Sequence, residues 1–391
     1  MKILYGYSNC TDKMYNSLFL NANEAVLQPD QKYHGLMIGG FARINKDIEI
    51  KCFSGLPINK RIYKKIWVHE RDEFENGIKY HYYSTFNLPI IRQIGIFLSA
   101  FFSVLREKKN NNPHIICDCL NVANSFGMIL AGKVKGYPTV LIVTDLPDMI
   151  TNSHLTARIN NRLFNYADGF LFLTEQMNLK INRRHKPYIV MEGLVDSNAI
   201  EYKTQKKYED VSGKFVFLYA GSIKKIYGIE NLLYGFIEAN LANCELHIYG
   251  DGDFKKELID IARENPNIIY GGNKSNREVV IEEMKASILI NPRPTNPEYT
   301  KYSFPSKNME YMVSGTPVLT TDLPGMPREY LSYIYLIKDE SIKGIANSLQ
   351  AVYKISREQR RNKGISAKQF VLKNKSNIMQ AKNVLDLLRK V

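Results

Sequence analysis

The chain is short of cysteine, of long apolar runs and of paired histidines, and each shortage removes a class of function. Five cysteines in 391 residues are a small, odd set, which argues against a disulfide framework and suits a reducing cytoplasm. Cys117 and Cys119 alternate around Asp118 in a strand-like stretch, but a lone C-x-C lacks the second pair of a zinc site. Seven histidines are scattered, with no H-x-x-x-H pair. The amino terminus, MKILYGYSNC, holds no apolar core of signal-peptide length and reads as a first strand. The apolar run Ile94 to Leu105 is about twelve residues, short of the eighteen or more that would span a bilayer. Flanked by Arg92, Arg106, Lys108 and Lys109, it reads as a buried helix of the first domain, the alternative being a helix lying in the membrane interface. No zinc-finger spacing, RNA-recognition signature or basic run interleaved with aromatics is present, so nucleic acid is not an expected partner.

What the chain does have is positive charge and two alternating series of strands and helices. The formal net charge is +14, with 45% hydrophobic and 24% charged residues, a soluble composition that favours anionic partners such as nucleotide phosphates or acidic lipid. The length predicts two domains. Strands are predicted at 3–5, 48–53, 115–117, 139–143, 170–173 and 189–191, with helices near 34–46, 91–108, 123–135 and 157–167 between them. That alternation implies a mostly parallel sheet covered on both faces. A polar insertion runs from Gly6 to Gln31. The polar stretch 196–213 has no periodic face and reads as a linker. A second series begins at Lys214 with strand 215–220, and Ile229, Leu232, Leu233, Phe236 and Ile237 form the apolar stripe of the next helix. Strands at 246–249, 268–270 and 288–290 follow. The expected domains are 1–195, 214–375 after the linker, and a terminal helix over 376–391.

The segment ILINPRPTNPEYTKYSFPSKNMEYMVSGTPVLTTDLP, residues 288–324, reads as strand, Pro-punctuated loop, helix, turn and strand. Pro305 suits the first turn of the helix, and Gly315 with Pro317 ends it. Lys307 and Glu310, three residues apart, share one face of that helix. A loop at the carboxyl end of such a strand is where open α/β sheets bind ligands, and a helix N-terminus there attracts anions. Two further turns have the same character: Gly221-Ser222-Ile223-Lys224-Lys225 after the 215–220 strand, and Gly250-Asp251-Gly252 after 246–249. Asn273 and Arg293 follow the next two strands. In the first half, Asp145 closes the 139–143 strand at its carboxyl end; it faces an acceptor or merely caps the turn.

At Glu310 and Gly315-Thr316-Pro317-Val318 the chain resembles the family-four retaining glycosyltransferases, which carry two glutamates separated by seven residues, a helix and a Gly-x-Pro-Val turn. Glu310 matches the second glutamate, the ribose ligand of that family. Tyr302 holds the place of the first, and Glu298 lies four residues before it. Ser-Phe-Pro-Ser-Lys, residues 303–307, is similar to a sub-group that includes capsule and exopolysaccharide assembly enzymes.

The resemblance implies a GT-B architecture: two Rossmann-like α/β domains facing a cleft, with the last helix crossing back to the first domain. It implies retaining transfer from a nucleotide sugar, UDP-linked, to a hydroxyl acceptor, either a glycan or a lipid-linked intermediate. The catalytic set it implies is Lys307, Lys224 and Asp145. The donor-binding set is Glu310, Gly221, Ser222, Lys225, Gly250, Asn273, Arg293, Tyr302, Ser303, Phe304 and Ser306. The family's bases after the first glycine of the turn are replaced here by Ser222 and Tyr227, which leaves Lys224 and Lys225 to supply charge. With lysines available and no Asp-x-Asp pair beside a suitable strand, no metal or other cofactor is expected. The basic surface would dock on an anionic inner-membrane face of the cytoplasm. A nucleotide-sugar epimerase of the same fold and a non-enzymatic binder of anionic polymer are the rival readings.

Overall fold

The computed structural model describes residues 1–19, 28–45, 47–56, 58, 63–69, 71–146, 149, 154–198 and 207–391. Parts of three sequence readings lie outside these residues: 20–27 of the polar insertion, Pro147 and Asp148 of the turn after the 139–143 strand, and 199–206 of the linker. The chain folds as two units, Met1–Leu194 with Asn377–Val391, and Val195–Ser376.

Unit 1 runs β1 (Lys2–Gly6), α1 (Asp12–Phe19), α2 (Gln28–Ile44), β2 (Glu49–Ser54), β3 (Trp67–Val68), β4 (Arg71–Glu75), β5 (Ile78–Tyr82), β6 (Thr85–Phe86), α3 (Pro89–Arg106), β7 (Pro113–Asp118) and α4 (Val122–Lys135). It continues through β8 (Thr139–Val143), α5 (His154–Tyr166), β9 (Gly169–Phe172), α6 (Glu175–Ile181) and β10 (Tyr188–Val190). The main sheet has the order β10-β9-β8-β7-β1-β2-β5-β4. Its pairings are parallel except at the edge, where β4 runs antiparallel to β5. The central strands are covered on both faces, which is why TVLIV in β8 is apolar without alternation and wholly buried. The β4–β5 hairpin turns on Asn76 and Gly77, both left-handed at φ 52° and 80°, the geometry for which Asn-Gly is favoured.

The carboxyl ends of β1 and β7, where the chain's direction of travel across the sheet reverses, enclose a buried polar cluster. His34 of α2 is 2% exposed and Asp118 1%. The Tyr5 hydroxyl lies 2.6 Å from His34 Nδ1, the Tyr7 ring stacks on the imidazole at 3.6 Å, and Asp118 Oδ2 is 3.3 Å from His34 Nε2. The other carboxylate oxygen accepts from the Leu120 amide at 2.7 Å. Removing either partner leaves a buried polar group uncompensated, so His34→Ala or Asp118→Ala is expected to destabilise unit 1 by about 3 kcal/mol. Chemical denaturation followed by the fluorescence of Trp67, the single tryptophan, measures this; a loss below about 1 kcal/mol would show the pair to be dispensable.

Unit 2 runs α7 (Tyr208–Val211), β11 (Phe215–Ala220), α8 (Ile229–Ala239), β12 (Cys244–Tyr249), α9 (Lys255–Glu264), β13 (Ile268–Tyr270), α10 (Asn276–Lys285), β14 (Ile288–Asn291), α11 (Ser306–Ser314), β15 (Val318–Thr321), β16 (Tyr335–Ile337), α12 (Ile342–Tyr353) and α13 (Arg357–Asn374). Its sheet, ordered β13-β12-β11-β14-β15-β16, is parallel throughout. Residues 207–211, polar and aperiodic in sequence, are docked on this unit. Arg360 pairs with Glu209 at 2.7 Å and Arg357 with Asp210 at 2.6 Å. The Lys207 ammonium donates to the Ala286 carbonyl at 2.9 Å and to Thr316 Oγ1 at 2.8 Å.

The chain leaves unit 2 where it entered, with Val195 bridged to Ser376, and ends in α14 (Asn377–Leu388). This last helix packs on α2 of unit 1. Asn377 Nδ2 donates to the Leu36 carbonyl at 3.2 Å, and Ala381, Val384, Leu385 and Leu388 join Met37, Ile38 and Phe41 in one core. Two parallel Rossmann-like sheets with a terminal helix returned to the first unit are the GT-B arrangement.

Candidate functional site

In unit 2 the strand order reverses between β11 and β14, so the loops after these two strands flank the crevice where an open α/β sheet takes its ligand. Three turns at that edge are laced together. Gly221 N donates to the Tyr249 carbonyl at 3.0 Å, Ile223 N to the Asp251 carbonyl at 2.8 Å, and Gly250 N to the Gly272 carbonyl at 2.9 Å. Gly250 sits at φ 133°, and a Cβ there would lie 1.9 Å from the Gly221 carbonyl oxygen. Only glycine satisfies both conditions.

Helix α11 is held against this edge by side chains that read from the sequence as ordinary polar residues. The Tyr311 hydroxyl, fully buried, accepts from the Ala220 amide at 2.8 Å and donates to the Ala220 carbonyl at 3.1 Å. Asn308, also fully buried, accepts from Asn291 Nδ2 at 2.8 Å and donates to Thr320 Oγ1 at 3.3 Å. These contacts tie the helix to β11, β14 and β15 and fix Lys307, one turn before Tyr311. A Cβ on Gly221 would lie 2.7 Å from Lys307 Cε, so the glycine makes room for the lysine stem. The Lys307 ammonium is 3.7 Å from Glu310, each side chain 36% exposed. Helices α8 and α11 start at Gly228 and Pro305 without a side-chain cap. Their first amides are therefore open to an anion.

Lys224 is half-buried in the Gly221 turn, where Ser222 is exposed and gives its carbonyl to the Tyr219 hydroxyl at 2.8 Å. Lys225 is exposed and pairs with Glu230 in the first turn of α8 at 2.8 Å; that partner keeps its charge at the rim. Asn273 is exposed beyond β13. Arg293 stacks over Tyr227 and Tyr299, 5.5 and 5.0 Å from the ring centroids, and donates to Ser303 Oγ at 3.2 Å. Its Nε is buried without a hydrogen-bond partner, so it braces the loop and keeps one donor unspent. Tyr302 ends the short helical turn Glu298–Tyr302, and Ser306 is exposed as the first residue of α11.

One residue of the predicted set, Phe304, serves differently from what the sequence suggests. Phe304 is 6% exposed and packs on Tyr330 with centroids 5.2 Å apart, so its ring serves the core and only its backbone lines the loop. Asp145 is an exposed residue of unit 1 beyond β8, its carbonyl 3.8 Å from Cys119 Sγ. Among the described residues no three His, Cys, Asp or Glu side chains are grouped to hold a metal ion.

Residues 201–370 match the family described as glycosyl transferases group 1. No curated protein matches the chain. Among solved structures, sucrose-phosphate synthase from Thermosynechococcus elongatus is 12% identical and superposes with a TM-score of 0.67 over 99% of this chain and 98% of that one. The Anabaena protein HepE in complex with UDP is also 12% identical, with a TM-score of 0.68 over 100% of both chains. The lipopolysaccharide outer core galactosyltransferase WaaB in its apo form is 18% identical, with a TM-score of 0.63 over 100% of this chain and 99% of that one. At these identities the structures speak for the fold, and the family match lies on the unit that carries Gly221, Lys307 and Glu310. Residues 201–370 thus match the glycosyl transferases group 1, and the chain as a whole has the GT-B fold.

Proposed function

We propose that the protein transfers a sugar from a UDP-sugar to a hydroxyl acceptor, a glycan or lipid-linked intermediate, with retention at the anomeric carbon. The observation that carries the reading is Lys307 lying against the Gly221 turn, with Glu310 3.7 Å from its ammonium. A cation, open helix amides and a carboxylate within one turn of helix match what a nucleoside diphosphate presents: anionic oxygens and ribose hydroxyls. Two structures of the HepE fold carry UDP and UDP-glucose, which supports the choice of nucleotide here.

Cleavage of the donor places negative charge on the departing diphosphate and oxocarbenium character on the sugar. Lys307, with Lys224 in the neighbouring turn, stabilises the first of these in place of a divalent ion. Glu310 accepts from the ribose. Asp145 is the proposed acceptor contact of unit 1, and the sub-group likeness at 303–307 favours an acceptor in capsule or exopolysaccharide assembly.

The test is a thermal-shift series with UDP-, GDP-, ADP- and dTDP-sugars, followed by turnover with the best ligand. A UDP-sugar at about a hundred times its dissociation constant should raise stability by about 2.7 kcal/mol, and UDP release with acceptor should survive excess EDTA. No shift with any nucleotide sugar overturns the donor assignment. Acceptor-free conversion to an isomeric sugar would make the protein an epimerase, and abolition by EDTA with rescue by Mn²⁺ would put the charge on a metal.

A further inference from the structure

Among the described residues, the apolar helix of unit 1 is covered on one face only. Toward the protein, α3 packs on α4 so closely that a Cβ on Gly127 would lie 2.4 Å from the Phe97 carbonyl oxygen, and Ile96, Ala100, Ser103 and Val104 are buried. Toward solvent it presents Ile90, Ile91, Ile94, Leu98 and Phe102, from 44% exposed at Leu98 to 77% at Ile90. The spacing Ile90, Ile94, Leu98, Phe102 is four residues, one side of a helix. The sequence reading of a buried core helix therefore holds for half of its circumference.

The stripe is extended by the β3–β6 strand pair that feeds the helix. Trp67 and Phe86 stack edge to face at 4.6 Å and are 38% and 46% exposed, beside exposed Ile66. The Asn87 amide is bonded to the Ile66 carbonyl at 2.6 Å, and Thr85 sits against Gly95, where a Cβ would meet its Oγ1 at 2.5 Å. An uncovered apolar face of this size marks an interaction surface.

Charge selects the occupant. Exposed Lys64 and Lys65 stand before the stripe and exposed Arg106, Lys108 and Lys109 after it, and neither Tyr63–Val68 nor Pro89–Arg106 contains an acidic residue. Arg92, within the stripe, is turned inward onto the Leu56 carbonyl. Glu107 is withdrawn into ion pairs with Lys2 and Lys51, at 2.8 and 2.7 Å. A second copy seated antiparallel on the stripe would bring lysines against arginine and lysines, like charge on like. An anionic bilayer meets both features: phosphates for the basic ends and acyl chains for the stripe.

We infer that α3, with Trp67 and Phe86, is a membrane-docking face that lies in the plane of an anionic bilayer and inserts its apolar stripe. The helix is long and apolar enough to cross a membrane by composition, but its packing on α4 and the strand pair keeps it in the sheet's cover, so it lies flat. Adsorption then has a salt-sensitive part from the basic ends and a salt-resistant part from the stripe.

Trp67, the sole tryptophan, reports insertion directly. The full chain is mixed with vesicles of equimolar phosphatidylcholine and phosphatidylglycerol, and with phosphatidylcholine alone, in the absence of any sugar donor. Its emission should move to shorter wavelength with the anionic vesicles only, and Ile94→Glu with Leu98→Glu should weaken partitioning by about tenfold or more. Both positions are exposed, so the variant's unchanged melting temperature checks that it folds; Lys108→Glu with Lys109→Glu is the second variant, expected to lose the salt-sensitive part alone. No spectral change with anionic vesicles overturns the inference, as does equal binding to neutral ones. A concentration-dependent dimer that ignores vesicles and is split by the Ile94/Leu98 variant would give the face to a second copy instead. Because no donor is present, none of these failures bears on the transfer reaction.

Discussion

Raising the pH from 8 to 10 under reducing conditions is expected to cost unit 1 at least about 6 kcal/mol while leaving unit 2 nearly unchanged. Cys52, Cys117 and Cys119 are fully buried, and burial holds all three thiols above the usual range: Cys117 is pushed up to about 12, Cys52 further, and Cys119 well above its ordinary value. In the unfolded chain a thiol titrates near 8.5. Between the two values the unfolded form binds fewer protons, so the stability these groups contribute is full below about pH 8.5 and falls as pH climbs toward the folded value. The slope is about 1.4 kcal/mol per pH unit per thiol, or about 2 kcal/mol apiece by pH 10. Cys10, raised to about 12 by burial, acts in the same direction.

Unit 2 has one such group, Cys244, raised to about 12 by burial, set against one of opposite sign. Burial lowers Lys207 to about 8. Above that pH its folded form is neutral while the unfolded form stays charged to about 10.4, so its contribution rises with pH and offsets the thiol. Trp67 reports unit 1 alone. Its melting transition should drop by roughly 12 to 24 degrees between pH 8 and 10, while a second transition seen by circular dichroism barely moves. A Trp67 midpoint constant across that range would show that the thiols are not held protonated.

The strands at the centre of both sheets are legible because burial on two faces demands uninterrupted apolar runs, and 139–143 and 215–220 obey. β4 is not, since RDEFE lies at an edge, where Asp72 pairs with Lys79 and His81 and the apolar Phe74 is left in water; the Asn76-Gly77 turn was the available signal. The ligand edge of unit 2 is legible at its glycines and at Lys307 and Glu310, where spacing alone puts two charges on one helix face. What spacing cannot give is the support beneath. Tyr311 reaches Ala220 across 91 residues and Asn308 reaches Asn291 across 17, and nothing local distinguishes them from surface polar groups. Phe304 illustrates the converse: a residue inside a recognised motif whose ring is needed by the core. For α3 the run of apolar residues was plain, but whether one face or two would be covered depends on how wide a neighbour α4 presents, a property of the packing.

The second large effect belongs to Lys307. Lys307→Ala should lower turnover about a hundredfold, the usual loss on removing one electrostatic stabiliser of a leaving group and equal to about 2.7 kcal/mol of barrier. Lys307→Met keeps the stem that rests against Gly221 and loses only the charge, so it should be as slow as the alanine variant. If the methionine variant recovers activity, the side chain matters for packing and the electrostatic role is wrong. Glu310→Gln should act differently, weakening donor binding with little change in the rate once donor is bound, because a ribose contact is made equally in the ground and transition states. Gly221→Ala supplies the decisive cross-check. Its Cβ would stand 2.7 Å from Lys307 Cε and 2.9 Å from the Tyr219 hydroxyl, so the lysine must leave its place. The alanine should therefore slow the native enzyme severalfold or more but add little to Lys307→Ala, the non-additivity expected of two groups acting through one contact. Strictly additive losses would mean that Gly221 and Lys307 serve the reaction separately.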